Sequence, residues 1–155
     1  MKKLNTIRKA KLADVPHIVK LINGFADRGE LLHRSLNEIY ENIRDYYVAE
    51  DESGEVGGCC ALHVSWENLA EIKSLVIADS LQRSGVGTRL LAACLDDARE
   101  LCVPRIFALT YKPEFFEKNG FRRVDKAELP HKIWSECINC PKFPDCGEEA
   151  LIRDI

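Results

Sequence analysis

Apolar positions recur every three to four residues in two long stretches of the chain. In LADVPHIVKLINGFADRG, Val15, Ile18, Val19, Ile22 and Phe25 fall on one helical stripe. Asp14 stands where an N-cap belongs, Pro16 lies early and Gly29 closes the unit. From about Gly85 to Leu101 a longer stripe runs through Leu90, Leu91, Cys94, Leu95, Ala98 and Leu101. Ser35 and Glu38 form an S-x-x-E capping box, which predicts a further helix through Ile39 and Ile43. PEFFEKNG has proline near its start and glycine past its end, the signature of a short helix.

Between these lie β-type segments: NTIRKA, DYYVAED, VGGCCALHVSW, LAEIKSLVIA, RIFALTY and FRRV. If the ESGE turn at Gly54 closes a hairpin, the second and third are antiparallel. The last thirty residues carry no clear period and read as irregular. No repeat and no linker interrupts the pattern, which predicts one mixed α/β (α+β) domain.

Composition narrows the class. The chain has 155 residues, 46% hydrophobic and 30% charged, the profile of a globular protein. No apolar run is long enough to span a bilayer and no export signal is visible, so the expected setting is cytoplasmic, with no membrane partner. A net charge of -3 argues against a nucleic-acid partner held by bulk electrostatics. Seven cysteines without an export signal do not suggest a complete disulfide framework. Cys59, Cys60, Cys94 and Cys102 sit among apolar residues and read as small core side chains.

The chemistry starts at QRSGVG, Gln82 to Gly87, where a strand meets the long helix. Backbone N–H groups of a first helical turn have no partner within the helix and lie at its positive dipole end, which suits a phosphate. Gly85 and Gly87 would let a ligand approach the backbone. A plain strand-to-helix turn would have the same glycines. The loop is neither G-x-x-x-x-G-K-[ST] nor G-x-G-x-x-G, because Leu90 falls where the third glycine belongs.

QRSGVG does resemble the Q/R-x-x-G-x-G/A loop of the GNAT acetyltransferase superfamily, and the order of segments from Leu4 to Pro130 is similar to that family's layout. The resemblance implies a GNAT fold: a mixed, mostly antiparallel sheet flanked by helices over residues 1–130, with 131–155 an irregular, cysteine-containing extension packed on the same domain. It also implies acetyl-CoA as co-substrate. The loop residues Gln82, Arg83, Ser84, Gly85, Val86, Gly87 and Thr88 would then hold the pyrophosphate, and Leu75, Val76 and Ile77 would offer backbone to the pantetheine arm.

Four further stretches resemble the acetyltransferase domain of N-acetylglutamate synthases. GELLHRSLNEI is similar to G-x-L-V-x-R-S-x-E-x-L, AEIKSLVI to GEIACLAV, RIFALTYKPEFFEKNGF to RLFALST…WFAERGF, and DKAELP follows the place of EDELP. The implied acceptor is glutamate, the first substrate of arginine biosynthesis. Arginine suits a bidentate grip on carboxylate, so Arg34 is the first substrate-binding candidate, followed by Lys73 and Lys112. Solvated surface cations are the alternative for each.

Direct attack of an amine on the thioester needs a proton acceptor, for which Glu71 is the candidate, and a donor to the leaving thiolate. Many GNAT enzymes have a tyrosine where this chain has Phe116, so Thr110 or Tyr111 takes the donor role here. Many such synthases also carry an amino-acid-kinase-like domain in front, so this chain would be a short, stand-alone form, and a homodimer is compatible with it. Acetylation of another small amine or a protein N-terminus, or a catalytically weak CoA-binding module, are the competing readings.

The tail HKIWSECINCPKFPDCGE contains Cys137, Cys140 and Cys146, with His131 six residues before the first. C-x2-C-x5-C with one histidine could ligate zinc, or three thiolates an iron–sulfur cluster. A local disulfide or free thiols would show the same spacing.

Overall fold

The computed structural model describes residues 6–130 and 148–155. Within these residues seven strands form one sheet: β1 (Thr6–Lys9), β2 (Tyr46–Glu50), β3 (Val56–Trp66), β4 (Leu69–Ile77), β5 (Arg105–Thr110), β6 (Arg122–Val124) and β7 (Glu149–Asp154). Their order is β1-β2-β3-β4-β5-β7-β6, antiparallel throughout except for β4 beside β5. Four α-helices among the described residues pack on it: α1 (Val15–Ala26), α2 (Leu36–Glu41), α3 (Val86–Glu100) and α4 (Pro113–Lys118).

Period-two alternation sends the buried residues of the sheet to its two faces. Cys59, Ala61, Val48 and Val76 point to the face covered by Ile18 and Ile22 of α1 and Ile39 of α2. Cys60, Leu62, Ala70 and Ile72 point to the other face, against Leu90, Leu91, Cys94 and Ala98 of α3 and Phe116 of α4. The capping box forms as expected, Ser35 Oγ accepting the Glu38 N–H at 3.1 Å. The helix it opens is shorter than the pattern predicts, ending at Glu41 before a single 3-10 turn over Ile43–Asp45.

Four sequence expectations are corrected. Glu149–Asp154 is a regular strand rather than irregular chain, inserted between β5 and β6 with all six residues paired to β5. Cys102 is exposed, not core, because the chain turns through positive φ there just after α3. Leu101 is exposed in the same turn. Asp14 precedes α1 but makes no side-chain cap bond; its carboxylate turns back to the Lys11 N–H at 2.7 Å and to the guanidinium of Arg8 at 2.8 Å.

Candidate active site

A break in the sheet creates the site. The parallel ladder between β4 and β5 covers Ala70–Ile72 and Ile106–Ala108, then stops, while β5 continues to Thr110 on its other edge with β7. On β4 the register against β3 slips at the same point: Cys59 faces Val76 and Ala61 faces Lys73, so Cys60 is opposed by both Ser74 and Leu75. This is a β-bulge, and Ser74 turns through φ 53 to make it. Such a turn is costly for a residue with a Cβ. Tyr46 Oη donates to Ser74 Oγ at 3.2 Å and Cys59 Sγ donates to the Ser74 carbonyl at 3.3 Å, so neighbours on both strands fix the bulge. Burial pushes the Tyr46 phenol up to about 12, keeping it a donor.

The gap opens a cavity of about 590 Å³. At one end stands the glycine loop. Gly85 is the N-cap of α3 at φ 84, and neither a side-chain cap nor an acidic residue occupies the first turn. The positive helix end therefore faces the cavity without an internal anion. The two glycines serve different needs: Gly85 has open space where a Cβ would go, and its backbone angle is what requires glycine. At Gly87 a Cβ would stand 3.3 Å from Phe115, so close packing on α4 is the constraint there.

Gln82 and Ser84 shape the loop from beneath. Gln82 Nε2 donates to the Ile77 carbonyl at 3.1 Å and to Asp79 at 3.3 Å, tying the loop to the end of β4. Ser84 Oγ donates to the Leu81 carbonyl and lies outside the cavity lining. Arg28 grips Asp79 with two bonds of 2.7 and 3.1 Å and stacks over Phe25 at 4.4 Å, which joins the end of α1 to the base of the loop. That guanidinium holds the Asp79 carboxyl below the usual carboxylate range.

All the other expected site residues within the described chain line this one cavity. Leu75, Val76 and Ile77 run along it towards Arg83, Val86 and Thr88; Val76 and Val86 have buried side chains, so they contribute backbone. Thr110 and Tyr111 lie at the end of β5, where Thr110 Oγ1 accepts the Lys112 N–H at 2.9 Å, which leaves the hydroxyl proton for another acceptor. Phe116 packs edge-on against Phe115 and Phe121 and is buried, as its lack of a hydroxyl allows.

Opposite the loop, Glu71 and Lys73 point from β4 to the α1–α2 face, Lys73 Nζ standing 3.8 Å from Glu71 Oε1. Arg34 enters from the segment before α2, with Nη1 on Glu38 at 3.2 Å and donors of the guanidinium to spare. Lys112 differs from these two. It is mostly exposed and pairs with Glu30 at 3.3 Å across the cavity rim. Sequence reasoning missed two groups here. Ser74 carries no local mark of its bulge, and Asn23, which holds the backbone of Arg34, lies eleven residues away on α1.

The candidate metal ligands His131, Cys137, Cys140 and Cys146 lie outside the described residues. Among the described residues no group of three or more histidine, cysteine or carboxylate side chains could hold a metal ion, and no helix is long and apolar enough to cross a membrane.

Known proteins share this fold and much of this sequence. The model of the acetyltransferase (GNAT) domain matches residues 42–123. An uncharacterised N-acetyltransferase of Chlorobaculum tepidum is 38% identical over 149 residues, 96% of each chain. An amino-acid acetyltransferase of Mycobacterium tuberculosis is 34% identical over 84% of this chain and 75% of its own. The crystal structure of N-acetylglutamate synthase from Neisseria gonorrhoeae with coenzyme A and N-acetyl-glutamate superimposes with a TM-score of 0.85 at 30% identity, over 99% of this chain and 36% of that one. A glycine loop at an uncapped helix end, a bulged strand parting from its parallel neighbour and a cavity between them thus coincide with a matched sequence model: the chain belongs to the GNAT acetyltransferase family.

Proposed function

We propose that this acetyltransferase moves the acetyl group of acetyl-CoA to the α-amino group of L-glutamate. One observation carries the reading: the end of the cavity away from the glycine loop presents two cations, Arg34 and Lys73, and one carboxylate, Glu71. Glutamate brings the complement, two carboxylates and one ammonium. Coulombic and hydrogen-bonded matching of three charges in a half-enclosed site discriminates against amino acids with a neutral side chain. The synthase relative solved with N-acetyl-glutamate and the amino-acid acetyltransferase among the relatives support the same acceptor class.

In this mechanism the first-turn amides of α3 and the αL residues Arg83 and Gly85 cradle the pyrophosphate. The pantetheine arm runs along Leu75–Ile77, where β4 has lost its β5 partner and can hydrogen-bond an extended ligand. The thioester then lies near the Ser74 bulge. Glu71 accepts the first proton from the ammonium, the free amine attacks the carbonyl carbon, and the C–S bond breaks as the thiolate leaves. Thr110 or Tyr111 presents a hydroxyl to that sulfur. Each turnover releases one proton, because the nitrogen loses two and the thiolate takes one. Arginine synthesis is the metabolic setting this product implies.

Thiol release from acetyl-CoA over a panel of amino acids, small amines and an N-terminal peptide tests the reading. Glutamate should exceed aspartate, glutamine and the peptide by at least tenfold in kcat/KM. Glutamate no better than water would overturn the acceptor and leave the family intact.

A further inference from the structure

We propose that His63, oriented by Asp45, receives the proton that acetyl transfer removes from the acceptor ammonium and delivers it to solvent. The inference rests on the amine-acetylating reading of the first cavity. It comes from a second cavity of about 240 Å³ that shares Arg34 and Lys73 with the first and is also lined by Asp45, Tyr46 and His63. This space is polar and large enough to hold a short chain of waters.

The register places His63 well for the task. His63 on β3 lies directly opposite Glu71 on β4, and Ala61 lies opposite Lys73. Directly opposed residues of an antiparallel pair point to the same face, with Cβ atoms about 4.5–5.5 Å apart. The imidazole therefore neighbours the carboxylate proposed to take the first proton. Ala61 beside it leaves room for water over Lys73.

Asp45 sets the tautomer. His63 Nδ1 stands 2.8 Å from Asp45 Oδ2. An ionised carboxylate only accepts, so Nδ1 carries the hydrogen and Nε2 keeps a lone pair. The side chain is 38% exposed, so a proton bound at Nε2 has a way out to bulk water. The charged groups facing it are Asp45 from the turn before β2, Arg34 and Glu38 at the start of α2, and Glu71 and Lys73 from β4, with the Tyr46 phenol from β2.

The step conserves atoms without an oxidant or co-reactant. The acceptor N–H bond breaks, its proton passes by way of Glu71 or a water to Nε2, and the imidazolium loses it to solvent before the next turnover. Only an imidazole whose Nε2 lone pair carries no proton can start the cycle.

The test is the pH dependence of kcat/KM for thiol release by the full chain from pH 5.5 to 9.5, compared with His63→Gln and Asp45→Asn. His63→Gln should lose at least tenfold at pH 7, lose the acid limb of its profile, and recover several-fold with added imidazole. Asp45→Asn should displace the same limb with a smaller loss. Acetyl-CoA affinity should be unchanged in both, which also reports that they fold. A His63→Gln profile that superimposes on the parent, or lies uniformly below it without imidazole rescue, overturns the relay. If His63→Gln does not fold, an unshifted Asp45→Asn profile overturns it equally. The acceptor is whichever amine the parent chain turns over, so failure of glutamate alone leaves the relay standing. A parent chain that turns over no amine removes both readings.

Discussion

The side-chain amide of Asn23 closes both backbone hydrogen bonds of Arg34: the Arg34 N–H donates to Oδ1 at 2.9 Å, and Nδ2 donates to the Arg34 carbonyl at 3.0 Å. Through this clasp α1 sets where the segment before α2 crosses the cavity. Each bond contributes about 1 kcal/mol net. Asn23→Ala should therefore raise KM for the acceptor roughly tenfold, which corresponds to about 1.4 kcal/mol. KM for acetyl-CoA should stay within twofold, because the glycine loop is held by other contacts. Asn23→Asp keeps the acceptor half of the clasp and should fall between. Initial rates with each substrate varied separately decide it: equal changes in both KM values would show a general loss of structure instead.

Glu71→Gln keeps the shape of the side chain and removes its capacity to accept a proton. If Glu71 is the first proton acceptor, kcat should drop about 10²–10⁴-fold, the usual range for general-base removal. Acetyl-CoA binding, read by isothermal titration, should not change. A loss in kcat below threefold would assign the first proton transfer to another group.

What the sequence disclosed follows from how local each cause is. The stripe of α3 and the Ser35–Glu38 box need only neighbours three and four residues away; the box forms as expected, and the stripe does from Leu90 to Ala98. The hairpin at Gly54 is local too. By contrast, β7 owes its existence to distant partners on β5, from Thr110 opposite Glu149 to Arg105 opposite Asp154, and its own six residues carry no alternation strong enough to announce it. Ser74 adopts φ 53 because the β3 register leaves two residues opposite one, a fact no single-chain pattern contains. The resemblance located QRSGVG but not the division of labour inside it. Gln82 proved a brace on Ile77, and Gly87 a packing contact with Phe115.

The two loop glycines should respond differently to alanine. Gly85→Ala forces a Cβ residue into φ 84, at a cost of about 1–2 kcal/mol, and disturbs the amides at the helix start. Gly87→Ala gains up to about 1 kcal/mol of helix propensity, offset by the 3.3 Å approach to the Phe115 ring. Thermal melts should rank Gly85→Ala clearly below the parent and Gly87→Ala close to it. A Gly87→Ala chain that melts normally but binds acetyl-CoA at least tenfold more weakly would place the ligand against that Cα.

Acid stability should depend on Asp14. It is buried and takes two bonds from Arg8, at 2.8 and 3.0 Å, and one from the Lys11 N–H, while Arg8 also reaches Glu50 at 2.9 Å. The Arg8 hydrogen bonds, outweighing burial, hold the Asp14 carboxyl below its usual range. The unfolded chain thus binds the proton more readily than the folded one. The stabilisation from ionised Asp14 is complete above the unfolded value of about 3.9 and disappears as pH falls through the lower folded value. Asp14→Asn should lower Tm at pH 7 by roughly 4–8 °C, from a loss of about 2 kcal/mol. Between pH 5 and 7 the gap should be constant, and below about pH 4 the two curves should converge as the parent loses the same interaction. A gap as wide at pH 2.5 as at pH 7 would place the destabilisation in packing rather than charge.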